Sequence, residues 1–267
     1  MAIRLLGIPH DCNSSFLKGA ADAPPLIRAA IRSDSANMFA ESGHDLGDPG
    51  LFGDAGDVLC RDVDGQAAFD AIFDAVASHV AGDDRLLSLG GDHSVSFPAI
   101  MAHAERHPGL SILHFDAHPD LYEDFEGNPF SHASPFARLM ESGKIARLVQ
   151  VGIRTLNTHQ REQAARYEVE VHEMRDLSGL SAIAFGGPVY ISIDLDALDP
   201  AYAPGVSHHE PGGLSTRQVI DLIQRVPGQV VGGDVVEYNP ARDFNSMTAM
   251  VAAKLAKELA GRMLSDA

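Results

Sequence analysis

Hydrophobic residues fall along this chain in two rhythms. Short, nearly continuous apolar runs at Ile3–Ile8, Arg85–Leu89, 111–116, Arg147–Ile153, Pro188–Ile193 and Gln229–Glu237 read as strands buried on both faces. Glu168–His172 reads as a further, weaker strand. Between the runs, apolar positions recur at helical spacing. Phe69, Ile72, Phe73, Val76 and Val80 mark an amphipathic helix over 64–80. Helices are also expected over 95–107, 134–142 and 158–166, from Ser215 onward with Val219, Leu222 and Ile223 inward, and over 246–262. Pro24-Pro25 opens another that runs to about Arg32, because proline is tolerated in a first helical turn. Residues 9–23, 121–132 and 200–214 read as irregular, and the Gly- and Asp-rich stretch 41–57 as a surface loop. Strands alternating with helices predict an α/β fold with a mostly parallel central sheet covered on both faces. No linker, internal repeat or low-complexity tract interrupts residues 1–267, so one domain is expected.

The polar residues that matter stand where apolar runs stop. Ile112-Leu113-His114-Phe115 ends in Asp116-Ala117-His118-Pro119-Asp120, which puts three potential ligands at alternate positions. In extended backbone those side chains share a face. Such close like charges cost several kcal/mol unless a cation neutralises them. Three other runs also end in polar clusters: Gly90-Gly91-Asp92-His93, Asp194-Leu195-Asp196, and Glu237. In open parallel sheets ligands bind beyond the carboxyl ends of the strands, so the four clusters are expected to converge. His93, Asp116, His118, Asp120, Asp194 and Asp196 exceed what one ion needs and suit two divalent cations. Such a pair lowers the pKa of a bridging water and supplies hydroxide near neutral pH. An oxygen-rich, thiolate-free set favours Mn²⁺ over structural zinc. His10, His44, His79, His103, His107, His159 and His172 read as surface or satisfied core positions. His114 reads as core packing, with a supporting role beside Asp116 as the alternative.

Composition narrows the partners. A net charge of −17 argues against nucleic acid and against an anionic membrane, and it suits a cationic substrate. The two cysteines, Cys12 and Cys60, form no Cys-x-x-Cys pair, which excludes a thiolate zinc site and a disulfide scaffold and fits a reducing, cytoplasmic setting. There is no signal-peptide apolar core, and no apolar run approaches the ~18 residues of a membrane span.

The motifs Gly90-Gly91-Asp92-His93-Ser94, Asp116-Ala117-His118-Pro119-Asp120, Ser131-His132-Ala133-Ser134-Pro135-Phe136, Ser192-x-Asp194-x-Asp196-x-x-Asp199-Pro200 and Glu237-Tyr238-Asn239-Pro240 resemble those of the ureohydrolase family, the arginases, agmatinases and their relatives. Asn13-Ser14-Ser15-Phe16-Leu17, Phe125-Glu126-Gly127-Asn128 and 203–213 resemble the plant-type arginase branch. The resemblance implies a three-layer α/β/α fold and a dinuclear manganese centre, two Mn²⁺ per chain. His93, Asp116, Asp120 and Asp194 would hold one ion; Asp116, His118, Asp194 and Asp196 would hold the other. His132 would be the acid/base histidine and Glu237 the carboxylate that pairs with a guanidinium, with Asp120 at the reacting centre. The implied reaction is hydrolysis of L-arginine to L-ornithine and urea by a hydroxide that bridges the ions. Agmatine or another guanidino acid is the alternative substrate. A single-zinc amide hydrolase of the deacetylase type and a non-catalytic binding protein are the competing classes. His208 replaces a guanidinium-holding threonine of many relatives, Tyr122 an asparagine of animal-type arginases, and Asn157 their α-amino-reading aspartate. Asn128 and Ser131 are candidate substitutes in that recognition. Family habit implies a homo-oligomer, a trimer or hexamer, with Met247–Leu264 as a candidate packing helix.

Overall fold

The computed structural model describes residues 1–178, 180 and 183–266. Eight strands form one sheet in the order β2-β1-β3-β8-β7-β4-β5-β6. They are β1 (Ile3–Ile8), β2 (Phe52–Asp57), β3 (Arg85–Gly90), β4 (Ser111–Phe115), β5 (Arg147–Ile153), β6 (Glu170–Glu173), β7 (Pro188–Asp194) and β8 (Gln229–Val236). Every pairing is parallel. Parallel strands need long crossovers, and these are supplied by α1 (Ala23–Ile31), α2 (Gly65–Val80), α3 (Ser96–Arg106), α4 (Pro135–Glu141), α5 (Thr158–Arg166), α6 (Thr216–Arg225) and α7 (Met247–Ser265). Helices α1, α6 and α7 cover one face, and α2, α3 and α4 pack together on the other. The α/β/α layering expected from the sequence is thus observed.

The apolar runs became strands because both faces of the sheet are covered. Val189, Tyr190, Ile191 and Ile193 of β7 are fully buried, although their side chains point alternately up and down. One expectation fails. Residues 52–57, read as surface loop, form the edge strand β2 beside β1. Only Phe52 of β2 is buried, so the strand is held by its backbone ladder and carries no hydrophobic signature. Gly53 admits a neighbour: a Cβ there would lie 2.3 Å from Arg4 Nη1. The closing helix α7 is anchored within its own chain. Its Ala252, Leu255, Ala256 and Leu259 are buried within the chain's own core, against α1, α6 and β8.

The sheet register is what positions the site. Phe115, Ile193, Val235 and Leu89 lie in one transverse row across the four adjacent central strands β4, β7, β8 and β3. The residues that follow emerge flush at one edge: Asp116, Asp194, Glu237 just past β8, and His93 after the Gly90-Gly91 turn. At that turn the backbone beyond β1 crosses close by. Gly91 N–H donates to Ile8 O, and Asp92 N–H to His10 O, each at 2.9 Å. A Cβ on Gly91 would sit 1.7 Å from His10 O, so only glycine fits.

Candidate metal centre and active site

The four strand ends build one centre. His93 Nδ1 lies 3.1 Å from Asp116 Oδ2, 3.1 Å from Asp120 Oδ2 and 3.2 Å from Asp194 Oδ2. On the other side, His118 Nδ1 lies 3.3 Å from Asp116 Oδ1 and 3.1 Å from Asp196 Oδ2. Asp116 therefore faces both imidazoles, one through each oxygen. All six ligand candidates from the sequence come together.

The local backbone explains how. Asp194 ends β7 and its carboxylate accepts the Asp196 N–H at 2.8 Å, folding the 3-10 turn Leu195–Ala197 that presents Asp196. Asp116 Oδ1 accepts the His118 N–H at 2.6 Å. Asp120 takes φ 50° and Glu237 φ 64°, left-handed values that cost a non-glycine residue about 1–2 kcal/mol. Strained backbone at two functional carboxylates is where such strain clusters.

The donor set fits divalent cations. His93 Nε2 donates to Ser192 Oγ at 3.0 Å, and Ser192 Oγ donates to Asp234 Oδ1 at 2.7 Å. This chain fixes the tautomer and points the Nδ1 lone pair at three carboxylates. Nδ1 is fully buried and has no hydrogen-bond partner among the described residues. A lone pair aimed at carboxylate oxygens is repulsive unless a cation stands between them. Burial, with Asp196 and Asp116 alongside, holds the Asp194 carboxyl well above the ordinary range. Burial and the neighbouring Asp116 lift Asp120 to about 6. A divalent cation among these groups would favour their ionised forms and remove that penalty.

His114 is more than core packing. Its Nδ1 accepts from Gln150 Nε2 at 3.0 Å, which leaves Nε2–H to donate to Asp116 Oδ2 at 2.9 Å. Burial lowers its pKa to about 4, so it stays neutral. Its donor atom also lies within 4.8 Å of those of His93 and Asp116. Because Nε2 is already engaged with Asp116, it supports that carboxylate from behind, as histidine–carboxylate pairs do around metals.

Beside the cluster lies a cavity of about 220 Å³ that shares His118, Asp120, Asp194 and Asp196 as lining. His132, His208, Glu210 and Glu237 line it too. His132 Nδ1 donates to Glu237 Oε1 at 2.8 Å, and the same oxygen accepts the His93 N–H at 2.9 Å. Burial alone would lower the His132 pKa, but the Glu237 carboxylate raises it to about 9. Its other nitrogen, Nε2, is 2.7 Å from Ser15 Oγ and 3.1 Å from Ser15 N. In the neutral ring both Ser15 groups donate to Nε2; in the cation Nε2–H donates to the hydroxyl. The His208 ring stands 5.4 Å from that of His132 and 5.7 Å from that of His118.

The remaining sequence candidates do not line this cavity. Exposed Asn157 caps α5, accepting the Gln160 N–H at 2.9 Å, and gives Nδ2–H to Tyr122 OH at 2.6 Å. Asn128 Nδ2 donates to Asn13 Oδ1 at 3.2 Å, and Ser131 Oγ accepts the Ala133 N–H at 3.3 Å. None of the three lines the cavity. Ser15, Phe125, Thr155, Gln160 and Glu210 line it without having been singled out. Ser15, Phe125 and Glu210 had a signal, as members of the plant-type stretches; Thr155 and Gln160 had none.

A parallel sheet with a His/Asp cluster at its carboxyl edge fits the class of metal-dependent hydrolases. The Arginase family profile matches residues 1–261. The mitochondrial arginase of Medicago truncatula is 52% identical, with 97% of this chain and 81% of that one aligned. Arginase 1, mitochondrial, of Arabidopsis thaliana is 50% identical over 97% and 80%. The solved structure of the Medicago truncatula arginase superposes with a TM-score of 0.93 at 49% identity, covering 98% of this chain and 87% of that one. The chain belongs to the arginase family and is an enzyme of that family. This excludes the non-catalytic reading. The cytoplasmic location expected from the sequence is overturned, because the plant relatives at about half identity are named mitochondrial arginases. Cysteine usage reports a reducing environment and does not distinguish one reducing compartment from another. No helix among the described residues is long and apolar enough to cross a membrane.

Proposed function

We propose that this enzyme hydrolyses L-arginine to L-ornithine and urea with two Mn²⁺ per chain. His93, Asp116, Asp120 and Asp194 would hold one ion, and Asp116, His118, Asp194 and Asp196 the other. When bound, such a pair supplies Lewis-acid polarisation and a nucleophile from water near neutral pH. The observation that carries the reading is that one cavity is lined both by four members of the ligand cluster, His118, Asp120, Asp194 and Asp196, and by Glu237.

Glu237 Oε1 is engaged by His132 and the His93 N–H, and Oε2 has no hydrogen-bond partner among the described residues. A planar guanidinium would give its N–H groups to Oε2 and so place its carbon against the ligand cluster. His132, whose proton affinity Glu237 raises, would deliver the proton that the departing amine nitrogen needs. Ser15 Oγ, donor or acceptor as required, keeps the ring in place through that change. His208 closes the wall beside both. Asn128, Ser131 and Asn157 do not line the cavity and do not contact the substrate in this reading. The six-residue ligand set disfavours the single-zinc amide hydrolase.

The test is urea release from L-arginine and agmatine, side by side, by Mn²⁺-loaded protein. Urea mainly from arginine supports the proposal. Urea mainly from agmatine moves the substrate and leaves the chemistry; urea from no guanidino compound, with two ions bound, refutes it.

A further inference from the structure

We infer that Glu210 is the specificity residue that takes the ammonium group at the far end of the guanidino substrate. This rests on the guanidino-hydrolase reading and deepens it.

Glu210 lines the same cavity as Glu237. Its side chain is 41% exposed, and its carboxylate makes no hydrogen bond among the described residues. The nearest cationisable atom, His118 Nε2, is 4.0 Å away, beyond hydrogen-bond reach. A free carboxylate at a cavity mouth is ordinary when its backbone is loose, but this one is clamped. Arg154 Nε donates to Glu210 O at 2.8 Å and Arg154 Nη2 to the same oxygen at 2.5 Å. The same guanidinium binds Asp196 O at 2.6 Å and Ala197 O at 3.2 Å. Arg154 thus ties the Glu210 loop to the turn that carries Asp196. Asp199 adds a second tie, accepting the Gly212 N–H at 2.7 Å. The Glu210 backbone is therefore fixed relative to the ligand cluster.

Two carboxylates then stand in one cavity, Glu237 inside and Glu210 outside, and no Lys or Arg lines it among the described residues. That arrangement favours a ligand with a cation at each end. L-Arginine and agmatine both have this form, with a guanidinium at one end and an ammonium at the other. Tyr122, Phe125, Thr155 and Gln160 line the same cavity and offer an aliphatic chain contact without charge.

The experiment compares agmatine with n-butylguanidine, which lacks only the distal amine. The enzymes are the Mn²⁺-loaded parent and Glu210→Gln. We expect the parent to prefer agmatine in kcat/KM by roughly two- to fivefold, mostly through KM, as for a partly exposed ion pair. Glu210→Gln should erase the preference by weakening agmatine and leaving n-butylguanidine alone. Calorimetric affinities for 1,4-diaminobutane and n-butylamine should show the same collapse, and they report ammonium recognition even if the parent releases no urea. The metal content of the variant should match the parent's. Equal losses for both ligands, or no loss for agmatine, overturn the inference. Loss of a metal ion in the variant also overturns it, since the carboxylate would then act through His118.

Discussion

His132 and Glu237 are joined by a 2.8 Å hydrogen bond from Nδ1 to Oε1. That bond makes each the other's electrostatic partner and leaves Glu237 Oε2 without a hydrogen-bond partner among the described residues. Replacing Glu237 by Gln keeps the shape and an acceptor for His93 N–H but removes the charge. We expect kcat/KM for urea release to fall by about 100-fold or more. His132→Asn should fall by about 100- to 10,000-fold, mainly in kcat. Both variants should keep their metal content. Steady-state kinetics with metal analysis checks this, and loss of metal in either variant would relocate those residues into the ligand set.

The two carboxylates at the centre of the cluster have a different signature. Asp116 and Asp194 each approach His93 Nδ1 within 3.2 Å, and Asp116 also reaches His118. Asp116→Ala or Asp194→Ala should abolish both metal occupancy and turnover. Full activity in either variant would refute the assignment.

Asp234 tests the support behind the metal. It never touches the cavity, yet it accepts from Ser192 Oγ, Ser96 Oγ and Tyr190 OH, and Ser192 in turn orients His93. Asp234→Asn should weaken divalent-metal affinity about 10- to 100-fold while the chain still folds. Competition with a chelator measures this; unchanged affinity would show that the His93 tautomer is set without the relay.

His103 governs stability against pH. It is fully buried in α3, donates from Nδ1 to Ala99 O at 2.9 Å, and has no partner for Nε2 among the described residues. Burial lowers its pKa to about 4, from an unfolded value near 6.5. The unfolded chain therefore binds this proton first. The stabilising contribution is complete above pH ~6.5 and is lost as pH falls toward 4, a change of up to about 3 kcal/mol. Denaturant unfolding from pH 7 to pH 4 should show a smaller loss for His103→Leu than for the parent. Equal losses would mean that the ring finds a proton acceptor on protonation.

Much of the centre was legible because strand geometry does the work. Asp116, His118 and Asp120 stand at alternate positions after an apolar run, and the other clusters also follow such runs. A parallel sheet must gather those ends on one edge. What stayed hidden is set by contacts between distant segments. Ser15 reaches His132 across 117 positions, and the Glu210 loop is held by Arg154 across 56. Neither separation leaves a local pattern. Asp234 had a signal that went unused, a lone carboxylate inside the apolar run Val230–Val236. Strand β2 had none, since Gly53, Asp54 and Gly56 pair through backbone alone. Asn157 was placed by motif spacing at a position that a helix cap in fact occupies.

Turnover at this centre depends most directly on the number of ions that it holds. Metal-free protein should be titrated with Mn²⁺ while urea release from L-arginine is followed. We predict no urea without metal and a plateau at two equivalents per chain. A plateau at one equivalent, or urea release that ignores added metal, would contradict the dinuclear centre.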